Sequence, residues 1–101
     1  MNQALASALT PDAWILRLYV AGHTLRSLRA VANIERICAE ELRGQYRLEV
    51  IDLYQCPQLA EGDQIVAVPA LVKRLPEPLR MVIGDMSDTQ RVLVGLDLRA
   101  V

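Results

Sequence analysis

One histidine, two cysteines and a close pair of aspartates are the residues of this chain best suited to chemistry. His23 has no second ligand at metal-binding spacing, so it reads as a surface or capping residue. Cys38 and Cys56 are not closely spaced and offer no dithiol for exchange chemistry. Cys38 falls on an apolar helical stripe and reads as core. Cys56 precedes Pro57 at a helix start, a place that can favour a thiolate, but redox use is not its expected role. Asp85 and Asp88 flank a turn, and turn and capping chemistry accounts for both. There is no glycine-rich phosphate loop. No catalytic, metal or cofactor set emerges, and binding is what remains. Arg29, Lys73, Arg74 and Arg80 are cations placed to meet an acidic partner surface. The segment 57–64 adds the polar residues Gln58, Glu61 and Asp63.

The chain that must position these residues has 101 of them, enough for one domain near the low end of size at which a core holds alone. Residues 1–12 are expected to form a flexible arm and 13–101 a single domain. The arm has neither a basic n-region nor a long apolar stretch and does not read as a secretory signal. Phenylalanine is absent, so Leu, Val, Ile and Ala must build the core. With 11 basic and 12 acidic residues the net charge is −1, which excludes the basic field of a general nucleic-acid binder. No apolar run reaches the roughly 18–20 residues of a membrane span. Unpaired cysteines point to the cytoplasm, with both thiols reduced.

The run Ile65-Val66-Ala67-Val68-Pro69-Ala70-Leu71-Val72 is apolar and β-branched, and reads as a buried strand broken at Val68-Pro69, because proline donates no ladder hydrogen bond. A loop ending in Val-Pro before a strand resembles the cis-proline loop of thioredoxin-like folds. Upstream, residues 14–20 are apolar on both faces and suit the centre of a covered sheet. Thr24 can cap a helix whose Leu28, Val31, Ile34, Cys38 and Leu42 form one stripe, with Arg43-Gly44 as its stop. Residues 46–53 make a second strand, and the β-helix-β span is long enough for a parallel crossover. Pro57 can open a short helix through Glu61. Residues 70–73 and 79–83 are extended, separated by a turn at Pro76 and Pro78. Ser87, with Gln90 three residues on, can cap a last helix. That last segment supports two readings: Val92, Val94, Leu96 and Leu98 alternate as in a strand, whereas Val92, Leu93 and Leu96 form a helical patch.

In order along the chain, Leu18-Tyr19-Val20-Ala21-Gly22, Val50-Ile51-Asp52, Pro57-Gln58-Leu59-Ala60-Glu61, Ile83-Gly84-Asp85 and Val94-Gly95-Leu96-Asp97-Leu98 resemble the KaiB family, without evident gaps from residue 16 to 98. The resemblance implies a protein that is not an enzyme, takes no cofactor and binds the ring-shaped clock ATPase-kinase KaiC. Bound members then capture KaiA and compete with an output histidine kinase whose sensor domain is itself KaiB-like. The resemblance also implies a metamorphic protein. One form is an α/β thioredoxin-like monomer of order βαβαββα, the form that binds KaiC; the other is a tetrameric ground state of order βαββααβ. The first βαβ is shared, and Pro69, Pro76, Pro78, Gly95 and Asp97 lie in the half that rearranges. The thioredoxin-like monomer is the expected form. Within it, Gly95 is a poor helix residue by about 0.5–1 kcal/mol relative to alanine. Asp97 opposes the dipole at the helix end by about 0.3–1 kcal/mol. Both are expected to hold the helix back.

The resemblance puts segment 57–64 on the side facing KaiC. Arg29, Gln58, Glu61, Lys73, Arg74 and Arg80 are the candidate partner-binding residues. The chain departs from the family pattern at His23-Thr24-Leu25, where typical members have Asn-Thr-Pro. It departs also at Glu49 and Gln64, in place of lysine, and at Met81, in place of arginine. The span 67–73 is nearer the kinase sensor's Val-Thr-Pro-Ala-Leu-Val-Lys. Where thioredoxin-like folds carry Cys-x-x-Cys, this chain has His23-Thr24-Leu25-Arg26. Three roles follow: a KaiC-binding timing regulator, an adaptor of the same fold for another signalling or stress-response partner, and a thioredoxin-like redox protein, which the missing dithiol disfavours.

Overall fold

The computed structural model describes residues 14–43, 45–65 and 67–97. The expected arm at 1–12 lies outside the described residues, as do Gly44, Val66 and Leu98. The elements are β1 (Trp14–Val20), α1 (Leu25–Glu41), β2 (Tyr46–Asp52), α2 (Leu59–Asp63), β3 (Ala70–Leu75), β4 (Arg80–Ile83) and α3 (Thr89–Gly95). The order is βαβαββα, the thioredoxin-like one. The four strands form one mixed sheet, β2-β1-β3-β4. β1 pairs parallel with β2 and antiparallel with β3, and β3 pairs antiparallel with β4. The strand that is apolar on both faces is therefore inside the sheet, as its composition requires.

α1 starts where Thr24 Oγ1 accepts a hydrogen bond from Ser27 N–H at 3.2 Å, and it ends at Leu42, after which Arg43 takes a left-handed φ of 50°. Ile34, Cys38 and Leu42 of the expected stripe are buried and Val31 packs against the core; Leu28 is the exception. Ser27, Ala30, Ile34, Ile37 and Cys38 face inward, while Leu28 is 51% exposed. Ser27 explains the exception. Its Oγ accepts from Ala21 N–H at 3.1 Å, which fixes this small residue against the sheet and turns its neighbour Leu28 about 100° away. Ser27 and Ala30 let the helix approach closely, and Ile34, Ile37 and Leu42 then pack on Leu16, Leu18, Val20 and Leu71.

α3 lies on this same face. It is capped by Asp88, whose Oδ1 accepts from Arg91 N–H at 3.1 Å, rather than by Ser87 as expected. Ser87 N–H is already engaged by Asp85 Oδ1 at 3.0 Å, which ties it into the preceding turn and moves the cap one residue on. Val92 and Leu96 are buried and Val94 is 78% exposed. A strand would have placed all three on one face, so helical spacing prevails here. The helix-propensity cost of Gly95 has a packing reason. A Cβ at this position would lie 2.6 Å from Val82 Cγ2; glycine is what lets α3 lie this close to β4. Asp97 lies beyond the helix with a left-handed φ of 55°.

The opposite sheet face carries a smaller core of Tyr19, Ile51 and Val72, packed with Leu53, Cys56, Ile65, Val68 and Met81. The strand break falls where expected. The Val68–Pro69 bond is cis, and β3 begins directly after it. Leu75–Pro76 and Glu77–Pro78 are also cis, in the β3–β4 connection.

Candidate functional site

The second sheet face is only partly covered, by residues 53–65, and this is where the polar segment picked out in the sequence lies. Asp52 launches it. Its Oδ1 accepts from Gly22 N–H at 3.0 Å and from Tyr54 N–H at 2.9 Å, tying the end of β2 to the β1–α1 turn. Gly22 has a φ of 61°, and a Cβ there would meet the Tyr54 ring at 2.9 Å, so the turn needs glycine for both reasons. α2 starts at Leu59, two residues after Pro57, and stops at Gln64, which adopts a left-handed conformation.

Five residues cannot make a stable helix alone, and no α2 residue is fully buried. What holds it is Asp63, whose side chain is 3% exposed. One carboxylate oxygen accepts from the Tyr19 hydroxyl at 2.6 Å and the other from Arg74 Nη1 at 2.7 Å. Arg17 Nη1 stands 3.7 Å from the same carboxylate and donates to the Tyr19 hydroxyl oxygen at 3.2 Å. Arg17 Nε in turn donates to Glu49 Oε1 at 3.0 Å. The network runs from β2 through β1 to α2 and β3. An unpaired buried carboxylate would be costly; this one is paired and hydrogen-bonded. Burial, then the Asp63 hydrogen bond, pushes the Tyr19 hydroxyl above its usual pKa. The hydrogen bond to Tyr19 is the first cause raising that of the Arg17 guanidinium.

With its inner side pinned, the segment presents Gln58 and Glu61 to solvent, together with Tyr54, 75% exposed, and Leu59. Arg74 borders the same face, with its side chain 40% exposed. Three of the six candidate residues are thus brought together. The other three are not. Lys73 is a correction: it is 1% exposed and cannot serve on a rim in this fold. Strand alternation turns it inward between Val72 and Arg74, towards α1, and its Nζ lies 5.6 Å from the Trp14 ring centroid, a cation–π contact. Arg80 pairs with Lys73 in register, which puts it on that same face, exposed on the edge strand. Arg29 is exposed on α1 and borders a cavity with Arg26 and Arg91. The Tyr19–Asp63–Arg17 network is what sequence reasoning passed over. The one signal for it was an arginine in the middle of an otherwise apolar strand.

The thiols offer little chemistry. Cys38 is buried, and burial, with Glu35 adding to it, pushes its pKa up to about 12. Cys56 is half-buried, and neither forms a disulfide. Among the described residues no cluster of His, Cys, Asp and Glu is suited to a metal ion, and no helix is long and apolar enough to cross a membrane.

The KaiB domain family model matches residues 17–98. The chain is 52% identical over 84 residues to circadian clock protein KaiB3 of Synechocystis sp., covering 83% of this chain and 82% of that one. It is 55% identical over 85 residues to the circadian clock oscillator protein KaiB of Parasynechococcus marenigrum, at 84% and 82% coverage. In three dimensions it is similar to the N-terminal domain of Synechococcus elongatus SasA, with a TM-score of 0.69 at 24% identity, covering 89% of each chain. Mitochondrial thioredoxin 3 of Saccharomyces cerevisiae gives a TM-score of 0.67 at 13% identity, covering 93% of this chain and 86% of that one. These two likenesses concern the fold alone.

Proposed function

The chain belongs to the KaiB family, whose members are clock regulatory proteins and not enzymes, and on that premise we propose that it is a cytoplasmic timing regulator that docks on the ring of a KaiC-type ATPase-kinase. The docking face is the 53–65 segment, with Tyr54, Gln58, Leu59 and Glu61 as its outward groups. On this reading the bound protein displaces the KaiB-like sensor domain of the output kinase and recruits KaiA where that protein is present. The observation that carries the reading is the βαβαββα order with a helical Thr89–Gly95, the form that the family resemblance links to KaiC binding. A monomer fits this form, and a tetramer belongs to the alternative order, in which the half holding Pro69, Pro76, Pro78 and Gly95 is rearranged.

The test is binding of the full chain to purified KaiC, with the N-terminal domain of SasA as competitor. Saturable binding that the SasA domain displaces, and that Glu61→Lys weakens, is the expected result. No binding by a folded monomer would overturn the reading.

One observation favours the adaptor role for a different partner. Glu49, at a position where the family pattern has lysine, is tied to Arg17. With Gln64 and Met81 also in place of cations, this face is less basic than the family pattern. Failure to bind KaiC, with binding to another ATPase through the same Glu61 surface, would decide for it.

A further inference from the structure

On the α1–α3 side, away from the docking face, a cavity of about 500 Å³ opens between α1, the loop 84–88 and the start of α3. Arg26 and Arg29 border it from α1, and Arg91 from α3. Three positions apart, Arg26 and Arg29 lie on one side of their helix. All three arginines are exposed. None of their guanidinium groups makes an ion pair or hydrogen bond to another described residue. Arg36, further along α1, does find a partner in Glu40 at 3.8 Å.

Two carboxylates share the cavity, Asp85 and Asp88, and both are committed locally. Asp85 accepts from Ser87 N–H and Asp88 from Arg91 N–H. Hydrogen bonds to Ser87 are the main cause holding the Asp85 carboxyl below its usual range, and attraction to Arg26 and Arg29 comes after them. Three cations thus border one concavity, and among the described residues none of them closes an ion pair, although Asp85 attracts Arg26 and Arg29. Arg26 lies in the first turn of α1, where the helix dipole disfavours a cation and the turn itself holds no acidic residue. Exposed guanidinium groups that close no ion pair among the described residues are available to an external anion.

We propose that this cavity binds a small phosphate-bearing ligand, a phosphate ester or polyphosphate, through Arg26, Arg29 and Arg91. The guanidinium fork matches phosphate oxygens two at a time. The volume is that of a small-molecule site. Asp85 and Asp88 also line the cavity, and their charge disfavours an extended acidic chain more than a compact anion.

The test is titration of the ¹⁵N-labelled full chain with sodium pyrophosphate at constant ionic strength. Saturable shifts confined to residues 84–91 and the first turns of α1 are expected. Arg29→Gln and Arg91→Gln should each weaken binding about tenfold, and Arg36→Gln less than about twofold. All these side chains are exposed, so the fold is retained; a matching far-UV spectrum checks each variant, and Arg26→Gln replaces any that fails. Shifts that do not saturate, or that saturate equally in Arg29→Gln and the parent, overturn the proposal. So does a hexaglutamate peptide that binds as tightly as pyrophosphate, which would make the cavity a protein contact.

Discussion

The Tyr19 hydroxyl, in the middle of an inner strand, donates to Asp63 at 2.6 Å across 44 positions of sequence. This bond, with Arg74 on the other carboxylate oxygen, is the main polar tie between the short α2 and the sheet. Tyr19→Phe keeps the ring in its core and removes the donor. It should lower stability by about 1–3 kcal/mol, the cost of leaving a buried acceptor short of a partner. Asp63→Asn should cost a similar amount and also release Arg74. Denaturant unfolding gives the loss, and amide exchange locates it: protection should fall first at 59–65. A loss spread evenly over the sheet would contradict this local role.

Gly95 and Val82 form a second coupled pair. Gly95→Ala gains helix propensity of about 0.5–1 kcal/mol. It also forces a Cβ against Val82, a small-to-large change of the kind that costs about 1–3 kcal/mol. The single variant should therefore be destabilised. In a Val82→Ala background the same substitution should be neutral or stabilising. A double-mutant cycle reads the coupling directly, and additive effects would show that α3 can move off β4 at little cost.

The two thiols should differ in reactivity. With its pKa at about 12 and its side chain buried, Cys38 should resist a disulfide reagent at pH 8 in the folded protein. Half-buried Cys56 should be labelled first. Cys38 also sets an alkaline limit. Its folded pKa is raised above the unfolded value, so from pH 9 upwards the unfolded thiol ionises while the folded one stays protonated. The unfolded state then binds fewer protons, and stability falls as pH rises from about 9 towards 12. Cys38→Ala should flatten this decline, as followed by thermal unfolding over that range.

Charge reversal on the two sides of the sheet should separate the docking face from its reverse. Glu61→Lys should weaken KaiC binding at all salt concentrations. Arg80→Glu, on the far edge strand, should alter only the association rate, and more so at low salt, as a remote rim charge does. Equal losses from both would place the contact around the β4 edge instead.

Much of the architecture was legible beforehand because it is local. Thr24, the apolar run 14–20 and the Val68-Pro69 break each specify their element through nearest neighbours. The family could be read from motifs in order, since these are one-dimensional too. Tertiary packing decided the remainder. Three- and four-residue spacing finds the buried side of α1 at Ile34, Cys38 and Leu42, but that Ser27 is buried and Leu28 exposed in its first turn depends on the Ser27–Ala21 hydrogen bond, which spacing does not encode. Val92, Val94 and Leu96 fit strand and helix equally until β4 is near enough for Gly95 to matter. Lys73 reads as a surface cation until alternation along β3 turns it onto Trp14. Asp63 reads as a polar surface residue until the fold brings Tyr19, Arg17 and Arg74 around it. In each case a local pattern leaves two states close in energy, and contacts between residues far apart in sequence select one of them.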